Sequence, residues 1–143
     1  MYPKYSPKDD HTAANSLESH LKVINITKGG IIIAGHIELA GTGAQRRRGL
    51  LGRKVLHCME GIYLIPCDWI HTFGMHCAID VAFLSPAGRI LAVHHGLRPN
   101  RLSRIVLRAE GVLELSAGRL RATYTEVGDQ VQFLEIDGQL SHK

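Results

Sequence analysis

Apolar and polar positions divide the chain into short segments of strand length. Leu21–Thr27 and Ile31–Leu39 are rich in β-branched residues, and Lys28–Gly30 separates them. A glycine pair accommodates the positive φ angles of a tight turn, so these segments predict an opening β-hairpin. Toward its end the second segment alternates apolar and polar residues, as on a half-buried sheet.

Further strand-like segments follow along the chain. They are Gly61–Ile65, Ile79–Leu84, Arg89–His95, Gly111–Leu115 and Gln130–Ile136. The Ser-Pro-Ala-Gly sequence at Ser85–Gly88 suits a type I turn, which predicts a second hairpin with Asp80 opposite Val93. We expect the arginine-rich stretch Arg98–Arg108 to be a crossing loop with a short strand rather than a helix.

One short helix is predicted after the first hairpin. Thr42 and Gln45 have the spacing of a capping box, in which a hydroxyl and an amide side chain close the first helical turn. The helix should run to about position 51, with Gly52 as a left-handed stop. Arg46 and Arg53 would then share one face of it.

Many short strands, glycine turns and one small helix predict a single, mainly β domain with antiparallel strands, arranged as a sandwich or barrel. We expect this domain to span residues 21–137, after a disordered polar tail at 1–20 and before a frayed end at 138–143. The 143 residues, 45% hydrophobic and 21% charged, fit one soluble globular domain.

Composition excludes several classes of protein. No apolar run is long enough to cross a bilayer, and the N-terminus lacks the apolar middle of a secretory signal. We therefore expect a cytoplasmic protein without membrane insertion. Cys58, Cys67 and Cys77 are an odd number, which favours reduced thiols. The net charge of +4 is too small an excess to predict nucleic-acid binding.

The segment Ile70–Asp80 concentrates the candidate chemistry, with two imidazoles, a thiol, a hydroxyl and a carboxylate. Glycine and aspartate both disfavour strands, so a purely structural strand rarely needs this mixture. Asp80 lies in an apolar strand, where a carboxylate must be ion-paired, hydrogen-bonded or protonated. We predict that Arg46, Arg53 or Arg101 supplies the partner.

Two interpretations of this pairing remain open. A buried ion pair at Asp80 could simply fix the helix against the sheet, and Glu114 on a similar strand has the same structural interpretation. Alternatively, His71, Thr72 and Asp80 line a polar pocket for a small ligand, supported by the three arginines. Trp69 beside this segment either packs or stacks on a ligand.

A metal centre is a weaker hypothesis, with His71, His76 and Asp80 as its candidate ligands. On a straight strand, His76 and Asp80 would be ~13 Å apart, and the common zinc-binding spacings are missing. We therefore predict no metal and no cofactor. Adjacent strand residues point to opposite faces, so His76 does not activate Cys77, and we expect the cysteines to fill core space.

Basic residues could instead bind a polyanion. They are Arg46, Arg47, Arg48, Lys54, Arg98, Arg101 and Arg104. No stacking aromatic is interleaved with them, so we expect a solvated basic face and no nucleic-acid partner.

A series of separated motifs runs along residues 21–134. They are Arg46-x-x-Gly49-Leu50-x-Gly52-Arg53, Ile70–Met75 with Ile79-Asp80-Val81, Gly88-Arg89, Pro99, Arg101, Ala109-x-x-Val112-Leu113-Glu114-Leu115-x-Ala117-Gly118 and Gly128-Asp129. Together they resemble the domain-of-unknown-function 192 family, in its His-Thr-Phe-Gly-Met branch. The resemblance implies a compact, mainly β domain of jelly-roll or sandwich type and brings no established activity.

Two departures accompany the resemblance. Ala78 stands where family members usually have proline, and the larger branch has Trp-Met-Lys-Asn where this chain has His-Thr-Phe-Gly. Asp80 is the acid that matches in both branches.

The sequence therefore predicts a non-catalytic or small-polar-ligand-binding β domain whose ligand or protein partner is unknown. Many family relatives look exported, which suggests an accessory role in envelope or secretion processes. The alternative is a small hydrolase or metal-assisted enzyme that uses His71 and Asp80 as base and orienter.

Overall fold

The structure is a computed structural model that describes residues 21–136. The tail predicted at 1–20 and the end predicted to fray from 138 onward lie outside the described residues. In chain order the elements are β1 (Leu21–Asn25), β2 (Ile31–Ala40), α1 (Gly43–Arg48), β3 (Glu60–Leu64), β4 (Ile79–Leu84), β5 (Ile90–Leu97), β6 (Gly111–Ser116), α2 (Arg119–Ala122) and β7 (Val131–Glu135).

The seven described strands form one sheet in the order β5-β4-β6-β3-β2-β1-β7. Strands β2 and β3 are parallel, and the other neighbouring pairs are antiparallel. The predicted mainly β class is confirmed. The arrangement differs from an antiparallel sandwich in its parallel pair and in having a single described sheet, and the four-residue helix α2 was not predicted.

The sheet curls because its two edges meet at one end. The Val131 N–H at the start of β7 donates to the Gly88 carbonyl (2.9 Å), and the Ile90 N–H of β5 donates to the Asp129 carbonyl (2.9 Å). These bonds bring the first and last strands of the sheet order together. The result is a half-barrel with an inner and an outer face.

Each face of the half-barrel buries its own apolar cluster. On the inner face, Val23, Ile33 and Leu113 pack with Leu120 of α2. On the outer face, Ile62, Val81, Phe83 and Val112 are covered by Leu50, Ile70 and Met75 from outside the strands. All of β4 is buried because both of its faces are covered. This explains why its sequence is almost continuously apolar.

The two predicted hairpins are present, but the register of the second differs from the prediction. Gly29 and Gly30 have φ angles of 74° and 82°, as the first turn requires. In the second hairpin Val93 lies opposite Ala82 rather than Asp80. The turn pairs Ser85 with Arg89 rather than with Gly88, and β5 has one extra residue, Leu91, between the partners of Leu84 and Phe83. Counting back from the turn along an uninterrupted ladder therefore gives a partner two residues away from the observed one.

Helix α1 begins as predicted and ends earlier. The Gln45 N–H donates to Thr42 Oγ1 (3.1 Å), and the Thr42 N–H donates to Gln45 Oε1 (3.0 Å), which completes the capping box. Gly49 follows the helix with a φ angle of 43°, so the helix stops at Arg48 rather than near position 51. Arg53 is therefore not on the helix and does not share a face with Arg46.

Candidate cavity on the outer face

A cavity of about 310 Å³ lies on the outer face of the sheet, beside α1. Its lining includes the three arginines Arg46–Arg48, the segment Pro66–His71, Met75 and Glu114. The apolar part of the wall therefore comes from the outer cluster, and charged side chains come from α1 and from the sheet. Volumes of this order are typical of sites for small molecules.

Glu114 is the buried acid of this cavity. It lies opposite Ile62 of β3 and Val81 of β4, so its side chain is on the outer face with theirs. The residue is only 5% exposed, and within residues 21–136 its carboxyl forms no hydrogen bond or ion pair. Burial alone raises the pKa of Glu114 to about 7. The structural ion pair that the sequence analysis assigned to Glu114 is therefore not found among the described residues.

His71 contributes a second polar group without a partner. Its Nδ1 atom is buried and has no hydrogen bond within the described part of the chain. The imidazole lies between two aromatic rings, with its centroid 6.3 Å from that of Trp69 and 5.4 Å from that of Phe73. Trp69 also lines the cavity and is partly exposed, so an aromatic surface is available at its mouth.

Cys67 lies in the same wall but does not have the setting of a nucleophile. Its Sγ donates to the Trp69 carbonyl (3.0 Å). Desolvation is the largest effect and raises the pKa of the thiol, the hydrogen bond with the Trp69 backbone lowers it, the charges of Glu114 and Asp68 raise it, and that of Arg46 lowers it, with a net increase. A thiol held protonated in this way favours packing over catalysis. Like Cys67, the cysteines Cys58 and Cys77 are free.

The arginines of α1 place positive charge around the buried acid. Arg46 is half-buried, and its Nη1 donates to the carbonyls of Gly41 (2.8 Å) and Ile65 (3.4 Å). Arg47 and Arg48 also line the cavity but are exposed. The cavity thus combines one unpartnered carboxyl group with guanidinium groups on the helix beside it.

Most of the chain matches the model of one protein family. The model of the DUF192 family, described as Uncharacterized ACR, matches residues 24–133. The chain belongs to the DUF192 family. The match includes β2 through β6 and every residue that lines the cavity.

Two solved structures share the fold of this DUF192 domain. A protein of unknown function from Novosphingobium aromaticivorans DSM 12444 is 23% identical, with a TM-score of 0.69 over 79% of this chain and 83% of that chain. A putative transcription regulator from Sinorhizobium meliloti 1021 is 22% identical, with a TM-score of 0.64 over 80% of this chain and 92% of that chain. No curated protein matches the chain significantly.

Asp80 of the DUF192 domain does not have the partner that its sequence predicts. It is fully buried, and its carboxyl oxygens accept hydrogen bonds from the backbone N–H groups of Gly96 (2.9 Å) and Leu120 (3.0 Å). Asp80 lies opposite Leu115 of β6, so its side chain is on the inner face. The predicted arginine pair is wrong, because two backbone donors already satisfy the carboxylate and the cavity arginines lie beyond the sheet.

The other predicted pocket residues are spread over the structure. Arg53 pairs with Glu38 (2.6 Å). Thr72 is fully buried, where its Oγ1 donates to the Arg98 carbonyl (2.6 Å) and accepts from the Arg101 N–H (2.8 Å). The Arg101 side chain is exposed. Of the six residues proposed for the pocket, only His71 and Arg46 line this cavity.

Residues 21–136 contain no group of three or more histidine, cysteine, aspartate or glutamate side chains placed to hold a metal ion. The three candidate ligands are separated, since His76 is exposed while Asp80 lies on the inner face. No helix in the described part of the chain is long and apolar enough to span a membrane.

Proposed function

We propose that this DUF192 domain binds a small ligand in the outer-face cavity and does not catalyse a reaction. The observation that carries the proposal is the Glu114 carboxyl, which is buried in the cavity wall without a protein partner. An unpaired buried acid lowers the stability of a fold. A ligand that donates a hydrogen bond to Glu114 would supply the missing partner.

The cavity lining limits the chemistry of such a ligand. A donor group, such as an amine, amide or hydroxyl, would partner the ionised Glu114 carboxylate, and an apolar body can pack on Leu50, Leu51 and Met75. A planar group could also stack on Trp69 at the mouth. We therefore propose a small organic ligand with one polar, hydrogen-bond-donating end.

The hydrolase alternative lacks geometric support. It requires His71 and Asp80 to act as base and orienter within hydrogen-bond reach. Asp80 instead binds two backbone N–H groups on the inner face, whereas His71 lines the outer-face cavity. From the sequence, we also propose a cytoplasmic location and an accessory role in envelope or secretion processes.

A fragment screen on the full chain tests the proposal. Small primary amines, amides and alcohols with an apolar body are titrated while backbone amide resonances and the melting temperature are followed. We expect probes that shift the resonances of cavity residues to bind Glu114→Gln at least about tenfold more weakly. Glu135→Gln, at an exposed position on β7, is the matched control and should bind like the wild type. Absence of binding by every probe, or equal binding by Glu114→Gln, would contradict the proposal.

A further inference from the structure

Large apolar side chains and arginines are exposed together along two neighbouring segments. We call this surface the apolar–arginine patch, and it consists of Trp69, Phe73, Leu102, Ile105 and Leu107 with Arg98, Arg101, Arg104 and Arg108. The five apolar residues are between 45% and 82% exposed. Single exposed apolar residues are common on soluble proteins, whereas a cluster of them marks an interaction surface.

The backbone of the patch is held in place by hydrogen bonds. The N–H groups of Thr72, Ser103 and Val106 donate to the carbonyls of Arg101 (2.8 Å), Ile70 (2.9 Å) and Asp68 (2.8 Å). The two segments therefore run beside each other as a short antiparallel pair. These three N–H groups are already partnered, so covering the patch with an apolar phase leaves them satisfied.

Several of the apolar side chains form a continuous surface. His71 and Leu102 lie opposite each other in a β-bridge, which places their side chains on one face. Trp69, His71 and Phe73 alternate along the same segment, and their rings lie in sequence with centroid separations of 6.3 and 5.4 Å. The row of rings formed by Trp69, His71 and Phe73 is thus adjacent to the exposed Leu102.

The charge of the patch is strongly positive. The segment 98–108 contains four arginines and no acidic residue. All four are exposed, and none forms an ion pair within residues 21–136. The nearby acidic residues are Asp68, whose carbonyl accepts from the Val106 N–H, and Glu110, two residues after Arg108. The surface therefore favours a partner that presents several anionic groups over an apolar layer.

We propose that the apolar–arginine patch docks on the surface of a lipid bilayer that contains anionic lipid. Trp, Phe, Leu and Ile side chains partition into the region between headgroups and acyl chains, and arginines contact lipid phosphates bidentately. A nucleic acid offers the anionic groups without an apolar layer for the leucines and isoleucine. Docking of this kind is peripheral, through side chains of two loops, and needs no membrane-spanning segment.

Cosedimentation of the full chain with vesicles tests the proposal. Vesicles of phosphatidylcholine alone are compared with vesicles rich in phosphatidylglycerol, at low and at high ionic strength. We expect binding to the anionic vesicles that weakens as salt rises, because exposed charges are screened. Arg104→Gln should weaken binding roughly fivefold. Leu107→Ser should also weaken it, and because Leu107 is 82% exposed the variant should fold like the wild type.

Arg121→Gln is the matched control, since Arg121 is an exposed arginine on α2 outside the patch. It should bind vesicles like the wild type. The proposal is overturned if the chain ignores anionic vesicles, or if Arg104→Gln and Leu107→Ser bind as well as the control. It is also overturned if size-exclusion chromatography shows self-association that Leu107→Ser abolishes, because the patch would then be covered by a second copy of the chain.

Discussion

Asp80 and Glu114 lie on adjacent strands, and their carboxyl groups lie on opposite faces of the sheet. Asp80 is opposite Leu115, while Glu114 is opposite Val81, so the two acids are out of phase by one residue. Both are buried, but Asp80 accepts two backbone hydrogen bonds and Glu114 accepts none from the described residues. The acid on the inner face is thus structural, and the one on the outer face is available to a ligand.

Because Glu114 is buried without a partner among the described residues, the stability of the protein should depend on pH. Folding raises the pKa of Glu114 from an ordinary value of 4.5 to about 7, because burial disfavours the charged form. The folded protein binds this proton more tightly than the unfolded chain. The contribution of Glu114 to the free energy of unfolding therefore falls as the pH rises from below 4.5 through 7, by up to about 3 kcal/mol.

Urea unfolding of the wild type and of Glu114→Gln, at pH values on either side of this window, measures the effect. Glutamine carries no charge, so the stability of the variant relative to the wild type should increase with pH. A difference between the two proteins that stays constant across the window would show that Glu114 is already compensated, contrary to the structure.

Replacing Asp80, unlike replacing Glu114, should remove stabilising hydrogen bonds. Asp80→Asn keeps one acceptor oxygen but turns an amide N–H toward a backbone N–H of Gly96 or Leu120. We expect a loss of about 2 to 4 kcal/mol in the free energy of unfolding, measured in urea, because buried donors lose charge-assisted partners. Asp68→Asn, at an exposed position, should cost less than about 0.5 kcal/mol. A loss below about 1 kcal/mol in Asp80→Asn would argue against the two hydrogen bonds.

Local features of this fold were accessible from sequence because their causes are local. The capping box needs only Thr42 and Gln45, three residues apart, and the opening hairpin needs a glycine pair between two β-branched runs. Helix α1 was predicted too long because both Gly49 and Gly52 can stop a helix. Gly49 adopts a positive φ first.

The partners of the buried acids were not accessible from sequence, because they depend on long-range geometry. Sequence reasoning paired Asp80 with a distant arginine, since side-chain charges are visible in a sequence and backbone donors are not. The Leu120 N–H that donates to Asp80 lies in α2. This four-residue helix has no side-chain cap, so the sequence carries no capping signal for it. That Glu114 faces the cavity depends on strand register. The available signal was an acid within the continuous apolar strand Val112–Leu115.

The thiols of Cys58 and Cys67 should differ in reactivity. The Cys67 thiol is partly buried and hydrogen-bonded to the Trp69 carbonyl, and desolvation raises its pKa. Since the thiolate is the reactive form, Cys67 should be alkylated more slowly than the exposed Cys58. Iodoacetamide labelling of the folded protein, followed by peptide mass analysis over time, measures the order. Denatured protein is the control, in which the two rates should become similar, and faster labelling of Cys67 in the folded state would contradict its described setting.

The packing of β3 against β6 predicts a strong effect at Gly61. A Cβ atom there would lie 2.7 Å from the Glu114 carbonyl oxygen and 2.9 Å from the side chains of Ile37 and Leu115. Gly61→Ala should therefore lower the free energy of unfolding by about 1 to 3 kcal/mol, since a neighbouring backbone group cannot move aside freely.

Gly41→Ala is the matched control, because a Cβ atom there meets nothing within 4 Å and the φ angle is ordinary. Alanine at that position should be neutral or stabilising by less than about 1 kcal/mol. Equal stabilities of the two variants in urea would mean that β3 and β6 do not pack as closely as described, and the position of Glu114 in the cavity wall depends on that packing.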